Sequence, residues 1–169
     1  MLSQKLLDAI NDQITFELYS GHIYLSMAAY CAEEGLDGFV NFFTVQEQEE
    51  RFHGMKFFNY VVEREGRVRL GGFEAPLVEF DSLLDVFETA LEHEKIVTKR
   101  IYNLMDIALE ERDHASVSFL NWYVNEQVEE ESTFSGLITK LKRIGDNNAA
   151  LLNLDAELAA RTFTPPAAE

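Results

Sequence analysis

Apolar residues recur at alternating spacings of three and four through four long stretches of this chain, the signature of helices that each turn one face toward other helices. The pattern predicts helices over about 3–33, 38–65, 82–111 and 113–144, with a weaker fifth over about 146–160. Ser3 or a neighbour opens the first, and the run EEGLDG closes it with Gly35 and Gly38 as breakers. Gly66 stops the second, Ser82 with Asp85 opens the third, Asp113 turns a very short corner into the fourth, and Gly145 ends it. Between Gly66 and about residue 81 the helical period is lost, some β-like alternation appears, and Gly71, Gly72 and Pro76 break the chain, which reads as one long crossover. No proline falls between Pro76 and Pro165, so nothing in that span forbids long helices.

Helices of roughly 28 to 32 residues are each more than about 40 Å long, against a mean helix length of about 11 to 12 residues. Only a bundle buries such rods well. The short first and third connections make antiparallel hairpins, and the long middle segment returns the chain along the bundle. The expected fold class is therefore all-α: a four-helix bundle with a long crossover between the second and third helices and a short fifth helix, in one domain of 169 residues.

The apolar stripes carry a common defect. They read Leu6, Ile10, Ile14, Glu17, Gly21, Tyr24, Ala28 in the first helix and Phe39, Phe43, Gln46, Glu50, His53, Phe57, Tyr60 in the second. In the third and fourth they read Phe87, Leu91, Glu94, Val97, Ile101, Leu104, Ala108 and Leu120, Tyr123, Gln127, Glu130, Phe134, Leu137, Leu141. Helix midpoints at about residues 18, 52, 96 and 128 put all the polar positions at one height, so Glu17, Glu50, His53, Glu94, Gln127 and Glu130 should converge on one small volume. A buried unpaired carboxylate costs several kcal/mol, and like charges raise one another's pKa. No Lys or Arg lies on the stripes near that height, so a bound cation is the simplest compensation. Carboxylates with one imidazole suit Fe²⁺, Mn²⁺ or Zn²⁺. Glu50 and His53 share a helix face, and Glu50 can bridge two ions.

Composition narrows the rest. Lys and Arg total 14 against 30 Asp and Glu, a formal charge of -16, which repels nucleic acid and anionic lipid and attracts cations. With 47% hydrophobic residues and 13 Phe the chain can build a core. Cys31 is the only cysteine, the opening MLSQKLLDAINDQ has no apolar run of signal-peptide length, and no stretch has the roughly 18 to 20 apolar residues that span a bilayer. A soluble protein of a reducing cytoplasm is the expectation.

The constellation of Glu17, Tyr24, the run EERFH with Glu50 and His53, EHEK with Glu94, and NEQVEEE with Gln127 and Glu130 resembles the prokaryotic-type non-haem ferritins over nearly the whole chain. The resemblance implies iron storage with ferroxidase activity: a di-iron centre that oxidises Fe²⁺ with O₂ (or H₂O₂) and passes Fe³⁺ into a hollow homo-oligomeric shell of 24 subunits. It further implies that Glu17, Glu50 and His53 hold one iron, that Glu50, Glu94 and Glu130 hold the second, and that Gln127 and Tyr24 are weak ligands or supporting groups. Related di-iron carboxylate proteins carry Glu-x-x-His on two helices, whereas the fourth helix here has Gln127 and Glu130. Arg51 stands where the haem-binding relatives place Met, so no haem is expected. A non-storage di-iron or di-manganese oxidase or peroxidase is the alternative.

Glu49, Glu126 and Glu129 lie one position off the stripes and with Glu130 make a carboxylate-rich flank, either a solvated acidic face or, by the resemblance, a third iron position. Tyr24 is either a core residue bonded to a carboxylate or an electron donor to O₂. Trp122 is read mainly as packing. His22, His93 and His114 are read as surface or channel residues, and the Glu111–His114 pair falls at a solvated corner. Gly21, Gly54 and Gly136 sit inside helices at a cost of about 1 kcal/mol each, for which close helix approach is one reason.

Overall fold

The structure, a computed structural model, describes residues 1–165; Pro166 and the rest of the tail lie outside the described residues. Among the described residues five helices form: α1 (Gln4–Glu33), α2 (Asp37–Glu63), α3 (Leu83–Glu110), α4 (His114–Ile144) and α5 (Asn148–Leu158). Local chemistry sets most of the starts. The Ser3 hydroxyl accepts from Leu6 N at 3.0 Å, the Ser82 hydroxyl from Asp85 N at 3.1 Å, the Asp113 carboxylate from Ser116 N at 3.1 Å and the Asn147 side chain from Ala150 N at 3.1 Å, each satisfying an otherwise unpaired helix-end donor. α1 closes through Gly35 at φ 72°, and α4 through Gly145 at φ 51°.

The two glycines assigned as breakers between α1 and α2 do different things. Gly35 turns the chain, but Gly38 lies within the first turn of α2, where an added Cβ would sit 1.7 Å from the Asp155 carbonyl oxygen of α5. The absent side chain lets α5 reach the start of α2. That helix has no side-chain cap of its own; the Asp155 carboxylate supplies one from α5, accepting from Phe39 N at 3.1 Å. At the other end of α2, Glu65 takes the left-handed turn at φ 57°, while Gly66 makes room, since a Cβ there would come within 2.9 Å of Val61 and 3.0 Å of Leu7.

α1 pairs with α2 and α3 with α4, α1 also packs on α3, and α5 closes one end against α2 and α4. This is the four-helix bundle with crossover and fifth helix that the periodicity predicted. The crossover has no strand; its first residues are held against α1. Asn11 clips it in both directions, donating to Arg67 O at 3.1 Å and accepting from Arg69 N at 2.8 Å, and Thr15 accepts from Gly71 N at 3.0 Å.

The stripe residues are buried in all four helices, with Leu91 half-buried. They form two apolar clusters, one around Tyr24, Phe43, Phe87 and Phe134 beneath α5, the other around Ile10, Phe57, Ile101 and Tyr123 toward the opposite end. Fully burying each such side chain contributes about 1.5 to 3 kcal/mol. Gly21 and Gly54 lie where α1 meets α2: a Cβ added at Gly21 would sit 3.7 Å from the Cβ of Glu50 and one at Gly54 would sit 3.4 Å from the Cβ of Glu17, ordinary contacts that an alanine could make, so close approach does not demand either glycine. Gly136, by contrast, has no neighbour within 4 Å and no close approach to explain it. No helix among the described residues is long and apolar enough to cross a membrane.

Gly38→Ala should therefore push α5 off the start of α2 and cost about 1 to 3 kcal/mol by overpacking. Thermal unfolding with hydrogen exchange across α5 checks this; an unchanged melting temperature and undiminished protection of α5 would contradict it.

Candidate metal centre

Between the two apolar clusters lies a polar layer. Glu17 and Tyr24 enter it from α1, Gln46, Glu50 and His53 from α2, Glu94 from α3, and Gln127 and Glu130 from α4, all buried. Ligand atoms of Glu17, Glu50 and His53 lie within 4.8 Å of one another, and so do ligand atoms of His53, Glu126 and Glu130. His53 stands between these groups, with Nδ1 3.6 Å from Glu50 and Nε2 3.9 Å from Glu126. Burial pushes its pKa down to about 3, so the ring is neutral and has one lone pair to give. A metal held on Nδ1 would leave Nε2 on the side of Glu126, 3.9 Å away and beyond hydrogen-bond distance.

Glu94 belongs to the same layer but to neither group. Its carboxylate accepts from the Tyr24 hydroxyl through one oxygen and from Gln127 Nε2 at 2.9 Å through the other. Glu130 accepts from Gln46 Nε2 at 2.9 Å. The Glu50, Glu94, Glu130 trio expected for a second metal is thus divided by internal donors, although their charges act on one another strongly. One oxygen each of Glu17 and Glu50 has no donor at all, although both are buried. The orphaned oxygen of Glu50 lies 3.6 Å from His53 Nδ1, and Glu17 brings a ligand oxygen within 4.8 Å of both residues, an oxygen-and-nitrogen donor set that fits a divalent transition metal.

The electrostatics agree. Burial, reinforced for Glu50 by Glu94, Glu17 and Glu130, holds Glu50 well above the usual carboxylate range. Burial raises Glu17 and Glu130 as well, and carries Glu94 to about 7. Burial and the surrounding carboxylates hold the Tyr24 phenol well above its ordinary value, so it is a neutral donor to Glu94. Metal binding at such a site displaces protons.

Three supporting groups were not singled out from the sequence. Gln13 donates to Glu17 at 2.9 Å and accepts from Arg100 at 2.8 Å, bringing a cation to the edge of the layer from off the stripe. Gln46 lies on the stripe, but its hold on Glu130 had no separate signal. Arg161, beyond α5, binds Glu49 at 2.6 Å. His93 is neither surface nor channel: it is buried, bonded to the Ser20 hydroxyl at 2.7 Å and stacked on Phe16. His22, His114 and Glu129 are exposed, and Glu126 is half-buried. Trp122 packs edge-on to His53 at 5.4 Å beneath Lys56.

A four-helix bundle with carboxylates and an imidazole gathered at mid-height defines the class of metal-binding carboxylate bundles. Comparison with known proteins narrows this class. The family model for the ferritin-like domain matches residues 7–144. The bacterial non-heme ferritin of Staphylococcus aureus (strain USA300) is 48% identical over 163 residues, covering 96% of this chain and 98% of the relative. The Staphylococcus epidermidis protein of that name is also 48% identical over 163 residues. Among solved structures, an open-pore ferritin from the hyperthermophilic archaeon Archaeoglobus fulgidus superposes with a TM-score of 0.95 at 49% identity, covering 96% of this chain and 100% of the other. The chain belongs to the ferritin family.

Because Glu94 rises from 4.5 to about 7, the stability it contributes to the metal-free protein is full below pH 4.5 and is lost as pH climbs through 7. Glu94→Gln removes that ionisation. The melting-temperature difference, variant minus wild type, measured with chelator present, should grow from pH 4.5 to pH 7 and then level off; a difference independent of pH would contradict the assignment.

Proposed function

We propose that this chain stores iron as a subunit of a homo-oligomeric shell and oxidises Fe²⁺ at its interior carboxylate layer. The observation that carries the reading is the pair of buried, donorless carboxylate oxygens of Glu17 and Glu50 beside a neutral His53. Fe²⁺ is the substrate. Glu17, Glu50 and His53 hold one ion, and Glu50 bridges to a second held with Glu94 and Glu130, once Tyr24 and Gln127 yield lone pairs of Glu94. Two Fe²⁺ ions fixed a few Å apart give one electron each to O₂, which takes two protons and leaves as H₂O₂, or to H₂O₂, which takes two protons and leaves as two waters. Carboxylate donors favour Fe³⁺ over Fe²⁺, so the groups that attract the reduced ion also stabilise the oxidised one. Ligation with a single imidazole leaves the product able to move on to storage. Tyr24, which donates its hydroxyl hydrogen to Glu94, orients that ligand, and where O₂ arrives with only one Fe²⁺ bound it would give the second electron to the oxygen and its phenolic proton to Glu94. Glu126 and Glu129, on the outer side of His53, extend the acidic path along which further iron travels. The reading includes no haem.

Assembly is supported by apolar residues that the isolated chain leaves in water. Leu70, Phe73, Leu77 and Val78 of the crossover are 47% to 63% exposed, more than a solitary bundle of this size needs to show. A shell of 24 copies is the family's form of such association. The net charge of -16 would draw cations toward and through it.

Aerobic addition of Fe²⁺ should give a fast rise in ferric absorbance together with particles many times the 19.3 kDa chain mass. Glu50→Ala removes the bridge, and the initial rate should fall at least about tenfold; an unaltered rate contradicts the site. A non-storage oxidase would retain turnover on a small oligomer without accumulating mineral. Val78→Glu should break assembly while leaving helix content intact, as read by light scattering and circular dichroism, and an unchanged particle mass would contradict the crossover's part in the contact.

A further inference from the structure

Arg161 lies in the segment after α5, outside every helical stripe, yet it reaches the acidic flank of the centre. One guanidinium nitrogen donates to Glu49 Oε2 at 2.6 Å and the other to Phe42 O at 3.4 Å, and the group lies 4.5 Å from the Phe42 ring centroid. Its own backbone is pinned: Asn41 Nδ2 donates to Arg161 O at 2.9 Å and to Leu158 O at 3.0 Å. Two residues on, Phe163 packs against Phe52 with ring centroids 5.8 Å apart. The guanidinium is thus tethered from both sides. Beyond Glu49 the acidic flank continues through Glu126 and Glu130, whose ligand atoms lie within 4.8 Å of each other and of His53, and the Glu49 charge helps to hold both of those carboxyls above their ordinary pKa.

We propose that Arg161 is a built-in counter-ion that occupies the cation position of the Glu49, Glu126, Glu129 and Glu130 flank and competes there with metal, so that the segment after α5 sets how tightly an ion beyond the interior pair is bound. The proposal rests on the interior reading above. The chemistry favours such competition. A guanidinium keeps its proton at any working pH, and its charge-assisted bond to a carboxylate is about twice as strong as a neutral one. A metal ion that takes Glu49 Oε2 must first displace that bond. Weak binding at the flank suits a transit position, because an ion held there has to leave again.

The test is calorimetric titration of the metal-stripped full-length protein with Zn²⁺, which binds without redox chemistry. The weakest event in wild type should tighten about tenfold in Arg161→Gln, corresponding to loss of one charge-assisted bond, and by less in Arg161→Lys, which keeps the charge without the fork. The gain should vanish in Arg161→Gln/Glu49→Gln. An unchanged weakest event in both single variants overturns the proposal. A tightening that survives Glu49→Gln also overturns it, because long-range charge alone would then account for the effect. Arg161→Lys preserves the cation and its stem, so it reports even if Arg161→Gln proves unstable. The two tight events, which Glu50→Ala should remove, report the interior centre separately, so failure of that centre and failure of the role of Arg161 appear in different parts of one isotherm.

Discussion

Burial of Glu17, Glu50, Glu94 and Glu130 at one level, between apolar clusters that exclude water, is the constraint to which the rest of the molecule answers. In this setting charge is expensive and like charges compound the cost. The protein meets part of that cost itself. Tyr24, Gln127 and Gln46 satisfy Glu94 and Glu130, and Gln13 with Arg100 partly satisfies Glu17. It leaves one oxygen each on Glu17 and Glu50 for a proton or a cation.

The scaffold makes this arrangement possible through spacing. Glu50 packs against Gly21 and Glu17 against Gly54 where α1 meets α2, which sets two carboxylates of different helices side by side. On the other side, α2 and α4 meet through long side chains: Gln46 to Glu130, the Tyr123 hydroxyl to His53 O at 2.8 Å, and Phe57 stacked on Tyr123. The wider separation gives His53 room to face Glu50 with one nitrogen and Glu126 with the other. Tight packing on one side and a gap bridged by long side chains on the other make the layer asymmetric, with His53 between the interior carboxylates and Glu126.

Much of this was legible in the sequence because helical periodicity is a strong signal and the polar defects fell on it. A stripe fixes which face a residue occupies, and helix midpoints fix its height, so the layer followed from arithmetic on Glu17, Glu50, Glu94 and Glu130. Groups off the stripe were harder. Gln13 lies one turn before Glu17, a spacing that sequence does show, but nothing marked it as aimed inward. Arg161 follows the last helix, where no periodicity constrains position, and its partner is 112 residues away. His93 was misplaced because it sits beside the stripe of α3; Ser20 and Phe16 of α1 bury it from a second helix. Gly38 was read as local punctuation, although its reason is a tertiary contact with Asp155.

The most direct test of the central claim is anomalous diffraction at the iron edge from crystals exposed to Fe²⁺ without oxygen. Two peaks inside the bundle are expected, one within bonding distance of Glu17, Glu50 and His53 and the other reached from Glu50 toward Glu94 and Glu130. Iron confined to exposed carboxylates, with the layer between the apolar clusters left to protons and water, would contradict it.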